Sequence, residues 1–301
     1  MFKKQKLIFI FVAALIIGGF FISNLWQSIP RAGELKVAFL NIGQGDSTLI
    51  IAPDKSKILI DGGPDEKVLG ELAAELPFYD RELDLVILTH PHADHLDGLL
   101  SVLERYTVRK VLMTGVIHTT DNYINFLETL KAKNIPVEVA VAGKSFDFGG
   151  ATFKILWPEK DLSGERVSGG AGEKGGLNDT SVVAMLEYGK SKFLFTGDAG
   201  FDIETRLVAS SKNNVETQGI ASLRADVLKV GHHGSAYASS DDFLRAVRPE
   251  YAVASAGKDN RYGHPSRRAV RRLERAGAKI FTTFQDGRIV FVSDGERVWK
   301  R

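Results

Sequence analysis

The stretch "LDLVILTHPHADHLDGLLSVLERY", from Leu83 to Tyr106, leaves the backbone few choices. Its opening "LDLVILT" is a short, nearly continuous apolar run that reads as a buried strand, and its closing "DGLLSVLERY" carries apolar residues at helical spacing. A strand must therefore end and a helix begin inside "THPHADHLDG". That turn gathers three of the seven histidines of the chain, together with Asp94 and Asp97. A strand delivering His90 into such a turn lets His90 and His92 converge on one cation while Asp94 and His95 face a second. The plainer alternative is a hydrogen-bonded turn in which Asp94 caps the helix.

The same alternation extends in both directions. "LKVAFLNI", "STLIIA" and "KILIDGG" read as three short strands, "EKVLGELAAEL" as a helix, "VRKVLMTG" as a strand, "DNYINFLETLKAK" as a helix and "IPVEVAVA" as a strand. A second β-rich section follows, "GGATFKILWP", "SVVAMLEYG" and "KFLFTGD", with "YGKS" as a hairpin connection, and helices and strands then alternate to the end. Strands that pair locally and then feed helices, twice over, predict an α/β domain from Glu34 to Arg301 in which two packed sheets carry helices outside. Between Ser163 and Gly176 the sequence is Gly-rich and poor in apolar residues, which predicts a loop without regular structure.

The amino terminus reads differently. Lys3, Lys4 and Lys6 precede an uncharged apolar run from Leu7 to Trp26, long enough to cross a bilayer as a helix. Residues 1–26 are expected to be an uncleaved membrane anchor, 27–33 a linker and 34–301 the catalytic domain. A cleaved signal peptide, leaving a secreted protein, is the alternative. Lysines before the span place the amino terminus in the cytoplasm and the main domain outside it.

Composition narrows the chemistry. The chain has no cysteine, so disulfides, thiolate metal sites and cysteine nucleophiles are excluded, and any metal must be held by nitrogen and oxygen. A formal charge of +2 announces no polyanionic partner by itself. The charge is uneven, however: from Arg245 to Lys279, ten lysines and arginines stand against three acids. Arg268 and Arg272, in "SRRAVRRLERAG", are candidate contacts to a phosphate backbone, although a solvated helix face accounts for that pattern equally well.

The run His90, His92, Asp94 and His95 is the HxHxDH signature, and by it the chain resembles the metallo-β-lactamase superfamily. "VAFLNIGQGDSTLI", "ILIDGG", "LTHPHADHLDGL", "LNDTSVV", "FLFTGDAG", "LKVGHHGS" and "RYGHPS" are similar, in order and spacing, to the hydrolase domain of ComEC/Rec2-type DNA-uptake proteins. The resemblance implies a four-layer αββα sandwich and two divalent metal ions, zinc or manganese. It implies Asp198 as a carboxylate bridging both metals and His264 as the ligand completing the second with Asp94, His95 and Asp198. One of His232 and His233 would complete the first, the other contacting substrate or protonating a leaving oxygen. Asp94, Asp198, His232 and His233 are thus the catalytic candidates. Asp61 would orient a ligand from behind, and the "GQGD" turn would bring Asp46 toward the site. Asn178, Ser181, Lys229 and Ser235 are expected to meet substrate. His118 matches no motif and reads as an ordinary loop histidine.

Three departures bear on function. The chain has one apolar span where ComEC proteins have a multi-helix channel region, so the resemblance does not carry DNA translocation over to it, and a separate channel protein is a candidate partner. The superfamily histidine expected before the aspartate strand is replaced by "LNDTS", with Asn178 and Asp179, and the family's "DVGQGD" stands here as "NIGQGD". The expected activity is that of a membrane-anchored phosphodiesterase acting on nucleic acid, DNA first. The alternatives are a hydrolase of cell-envelope or small-molecule phosphodiesters, and a non-catalytic DNA-binding module of an uptake machine.

Overall fold

Alternation decides which way the first strand faces. In β1 (Leu35–Phe39), Leu35, Val37 and Phe39 point into one apolar layer while Ala38 points into another, so the strand is buried on both sides. The structure is a computed structural model, and it describes residues 33–167, 176–213 and 222–301. The expected anchor at 1–26, the linker apart from Gly33, and most of the Gly-rich loop lie outside the described residues. Among the described residues, no helix is long and apolar enough to cross a membrane.

In chain order the next strands are β2 (Thr48–Ile51), β3 (Lys57–Ile60), β4 (Glu82–Leu83), β5 (Leu85–Leu88), β6 (Thr107–Val108), β7 (Val111–Met113) and β8 (Val137–Val139). The second half contributes β9 (Ser145–Phe148), β10 (Ala151–Trp157), β11 (Val183–Tyr188), β12 (Ser191–Phe195), β13 (Val227–Lys229), β14 (Tyr251–Ala254), β15 (Lys279–Thr282), β16 (Ile289–Ser293) and β17 (Val298–Lys300). One sheet has the order β17-β16-β1-β2-β3-β5-β7-β8 and the other β15-β14-β13-β12-β11-β10-β9, with β4 and β6 forming a small separate ladder. Each sheet is antiparallel on one side and parallel on the other: β3, β5, β7 and β8 run parallel, as do β12 to β15.

Three apolar layers hold the assembly. Leu35, Val37, Phe39, Ile58 and Ile87 of the first sheet meet Phe153, Ile155, Leu186 and Phe193 of the second. Helices Lys67–Glu75, Ala93–Arg105 and Asp121–Ala132 cover the outer face of the first sheet through Leu72, Leu99 and Phe126. Helices Phe201–Asn213, Asp241–Val247 and Arg267–Arg275 cover the second through Leu207, Phe243 and Leu273. Helix, sheet, sheet and helix make the expected αββα sandwich.

Local readings hold with instructive shifts. "YGKS" closes a two-residue hairpin, with Tyr188 paired to Ser191. The helix expected from Asp97 starts at Ala93, with His92 at its cap and Asp94 in its first turn, so Asp94 does not cap it. "VRKVLMTG" is divided because Arg109 N–H donates to Leu83 while Lys110 O accepts from Val86, which moves the chain from the small ladder to the main sheet.

Candidate metal centre

The candidate residues leave the carboxyl ends of parallel strands, where such folds place their sites. Asp61 follows β3, Thr89 to His95 follow β5, Asp198 follows β12, and His232 and His233 follow β13. The backbone is unusual at three of them: Asp61 (φ 57), His232 (φ 46) and His233 (φ 54) lie in the left-handed region. Each such residue costs roughly 1–3 kcal/mol unless its surroundings hold it there. Gly45 (φ 129) is as constrained, since a Cβ on it would sit 2.2 Å from the carbonyl oxygen of Asp94. That close approach, with Asp46 N–H donating to the same carbonyl at 3.1 Å, carries Asp46 into the site.

Hydrogen bonds fix which nitrogen of His90, His95 and His233 faces inward. Asp61 is wholly buried; its Oδ1 accepts from Thr89 N at 2.8 Å and its Oδ2 from Thr89 Oγ1 at 2.7 Å and His95 Nδ1 at 2.8 Å. Because the Thr89 hydroxyl donates to Asp61, its lone pair accepts from His90 Nδ1 at 3.1 Å. His90 Nε2 is then free to face His92 Nδ1 at 2.9 Å. His233 Nδ1 donates to Ser255 O at 3.0 Å, leaving Nε2 inward.

Asp198 lies between two sets of donors. Its Oδ1 is 3.4 Å from His95 Nε2, and its Oδ2 lies 3.4 Å from His233 Nε2, 3.8 Å from His232 Nε2 and 4.0 Å from His90 Nε2. Asp94 Oδ2 approaches His233 Nε2 at 3.2 Å. Ser181 Oγ accepts from Asp198 N at 3.0 Å and anchors the carboxylate from behind.

The residues present fit divalent cations. His95 Nε2, His233 Nε2, Asp198 Oδ1 and Asp46 Oδ1 are buried without a hydrogen-bond partner. Spacings of 3.2–3.4 Å between nitrogen and oxygen match the edge of a tetrahedron with bonds of about 2.0–2.1 Å, which is about 3.3–3.4 Å. Charge agrees, because the four carboxylates of Asp46, Asp61, Asp94 and Asp198 converge here and, among the described residues, Lys229 is the lysine paired with them.

The electrostatics split the histidines. Burial pushes His90 well down, and His92 and His232 down. His264 is pushed down to about 4, by burial and then by the neighbouring His232 and His233 rings. Burial acts the same way on His95 and His233, but Asp198 with Asp61 around the first, and Asp198 with Asp46 around the second, outweigh it and hold both well above the ordinary value. Burial likewise opposes ionisation of Asp198, and His233 and His95 override it, holding the carboxyl well below its usual range.

Several expected residues stand elsewhere than the sequence suggested. His233 stands beside Asp94 and Asp198, with His95 on the other Asp198 oxygen; His264 lines the same cavity facing the rings of His232 and His233, its Nδ1 buried without a partner. Lys229 is buried, paired with Asp46 and donating to Gly197 O at 2.9 Å, so it positions a loop instead of meeting substrate. Ser181 is fully buried behind Asp198 and His90. Ser235 is buried, with its hydroxyl 3.3 Å from Tyr237 N. Arg272 donates to the carbonyls of Ser239, Ala236 and Ala238 at 2.7–2.9 Å, which ties it to a neighbouring loop. Arg268 is exposed and outside the cavity lining. Asn178 is buried with Nδ2 3.3 Å from both ring nitrogens of His232.

Sequence reasoning assigned no role to Thr89, Ser255, Gln44 or Tyr262. Thr89 and Ser255 orient histidines, while Gln44 and Tyr262 line a cavity of about 220 Å³ over Asp94, Asp198, His232 and His233. Thr89 sits directly before the first histidine, which was the available signal. Residues 40–258 match the metallo-β-lactamase superfamily. The chain belongs to that superfamily. Membership, with clustered His and Asp donors, makes it a metal-dependent hydrolase. It is 27% identical over 288 residues to ComE operon protein 3 of Bacillus subtilis, covering 90% of this chain and 34% of that one. It is 30% identical over 263 residues to Recombination protein 2 of Haemophilus influenzae, covering 84% of this chain and 28% of that one. The chain thus spans about a third of the length of these curated relatives. The crystal structure of the metallo-β-lactamase fold protein YhfI from Bacillus subtilis superposes with a TM-score of 0.53 at 14% identity, covering 89% of this chain and 99% of that one.

Proposed function

We propose that this chain is a membrane-held, two-metal phosphodiesterase that cleaves nucleic acid, with DNA as its substrate. The observation that carries the reading is Asp198, a buried carboxylate within 3.4–4.0 Å of four histidine nitrogens, with His95 on Oδ1 and His233, His232 and His90 on Oδ2. Asp94, His95 and His233 would hold one cation with Asp198; His90, His92 and His232 would hold the other. Imidazole and carboxylate donors without sulfur suit zinc or manganese. When bound, the two ions supply positive charge for the attacked phosphodiester and ease the ionisation of water.

The chain's own residues do the rest. Asp61, Thr89 and the Ser255 carbonyl hold the tautomers of His95, His90 and His233, so that each keeps a lone pair inward. Lys229 compensates the buried carboxylates and holds Asp46 and the Gly197 turn together. His264 and Tyr262 stack at the rim of the cavity, 5.6 Å between centroids, where they face an incoming substrate. DNA is favoured by the likeness to the ComEC/Rec2 branch and by the exposed Arg267, Arg268 and Arg271 on the helix that starts just beyond His264. The apolar segment Leu7–Trp26 would hold the catalytic domain on the outer side of the membrane.

The test is metal analysis of the full chain in detergent, followed by zinc- or manganese-dependent cleavage of labelled DNA by wild type and Asp198→Asn. Two ions per chain and cleavage lost in the variant are expected. Cleavage of small phosphodiesters alone would move the assignment to envelope or metabolite esters. Tight DNA binding with no cleavage of either class would make the chain a binding module.

A further inference from the structure

A groove of about 690 Å³ lies beside the metal centre, walled by His92, Asp97, His118, Thr120, Asp121 and Asn122 among others. It shares His92 and Ala93 with the smaller cavity over the candidate ligands. A phosphodiester whose phosphorus sits in that cavity therefore has one of its two esterified groups directed along the groove.

His118 is held in this wall. Its loop follows β7, the parallel strand next to the one that delivers His90. Ile117 N–H donates to Glu165 O at 2.9 Å, Gly164 N–H donates to Gly115 O at 3.0 Å, and the Tyr123 hydroxyl donates to Val116 O at 3.0 Å. The His118 ring packs 6.0 Å from that of Tyr123. Asp97 adds a carboxylate oxygen, Oδ1, that is buried without a partner. The wall offers two carboxylates, two threonine hydroxyls, an amide and two imidazoles, and neither lysine nor arginine lines it. A second phosphate would meet Asp97 and Asp121 unscreened. A neutral group rich in donors and acceptors would be matched.

We infer that this groove is a nucleoside subsite: it seats the sugar and base esterified to the scissile phosphate, and His118 binds them by hydrogen bonding. The inference rests on the phosphodiesterase reading and adds to it the residue that tells a nucleotide ester from a simpler one. His118 acts here as a binding residue, so its loss is read in KM more than in kcat.

The experiment compares two substrates, the 4-nitrophenyl ester of thymidine 5′-phosphate and bis(4-nitrophenyl) phosphate, with metal-loaded full-length wild type, His118→Ala and His118→Gln. The expected result is a fall of about fivefold to tenfold in the preference for the thymidine ester in His118→Ala, through KM, with partial recovery in His118→Gln, as the loss of one hydrogen bond implies. An unchanged preference, or an equal loss on both esters, overturns the subsite. If wild type cleaves neither ester, the phosphodiesterase reading falls and the groove is judged on its own. Seven histidines make selective labelling practical, and thymidine titrated into the labelled full chain must shift the His118 ring resonances in wild type. Unmoved resonances overturn the subsite whatever the activity.

Discussion

The two halves of the proposed metal centre are built to different standards. Around Asp94, both histidines are fully buried and each is backed by a strong acceptor, Asp61 behind His95 and the Ser255 carbonyl behind His233. Around His90, only the first histidine is buried to that degree. His92 is half-buried, and His232 keeps 22% of its side chain exposed with an amide, Asn178, beside its ring. Partners behind a ligand set ring orientation and basicity, and their loss typically lowers metal affinity by about 10–100-fold. One half is therefore prepared before a cation arrives, and the other can adjust to what enters the cavity.

Asp198→Asn breaks both halves together and gives the largest effect. The substitution removes the one carboxylate common to both donor sets, and hydrolysis should fall by roughly three orders of magnitude, the scale of losing a dominant electrostatic contact in a water-poor site. Steady-state rates alongside metal content would decide it. A variant that kept two ions and most of its activity would show that the halves do not depend on a shared ligand.

A pH series separates the halves without mutation. His95 and His233 are pushed up in the metal-free chain by the carboxylates around them, whereas burial pushes His90, His92 and His232 down. Binding at the Asp94 half must expel more protons than binding at the other, so its affinity should rise more steeply with pH above the ordinary histidine value. Binding at the His90 half should hardly vary above pH 6.5, the ordinary histidine value. Calorimetry in buffers of different ionisation enthalpy counts the protons directly, and equal release at both steps would remove the distinction.

The contrast also explains what was legible beforehand. His90, His92, Asp94 and His95 could be read because strand, turn and helix are contiguous, and the turn confines all four to one strand end. Asp198 and Asp61 were found through the order of motifs. The place of His233 beside Asp94 was hidden, because it depends on two consecutive left-handed residues, His232 and His233, which redirect both rings. Nothing in "GHHG" requires that conformation of a histidine. Lys229 looked like a substrate contact because its partner Asp46 lies far off in sequence, on a turn held by contact with Asp94. Arg272 looked like part of a phosphate-binding face because amphipathicity reports which side of a helix is polar, and says nothing of the carbonyls that another loop presents there.

Asp61→Asn should injure the two halves unequally. The amide keeps the shape of the carboxylate but removes the charge behind His95, so affinity at the Asp94 half should fall by about 10–100-fold, while the His90 half, which Asp61 reaches only through the Thr89 hydroxyl, should fall by less. Two-step metal titration of the folded variant reads this. A uniform loss at both steps would indicate that Asp61 acts on the fold of the loop and not on one ligand.

Asn178→Ala should give the smallest effect, and for that reason it is the sharpest check on the adjustable half. The amide stands where the resemblance led a histidine to be expected, and it approaches both nitrogens of His232 at the same 3.3 Å, so it does not select one of them as the donor. An interaction with so little directionality contributes less than a well-aligned hydrogen bond, which is worth about 0.5–1.5 kcal/mol. Affinity at the His90 half should fall by no more than about fivefold, with the Asp94 half unchanged. Asn178→His should act in the opposite direction, adding a nitrogen donor beside His232 and tightening that half. If Asn178→Ala instead cost as much as Asp61→Asn, the amide would be as strong an orienting partner as the carboxylate, and the two halves would have to be regarded as equally prepared.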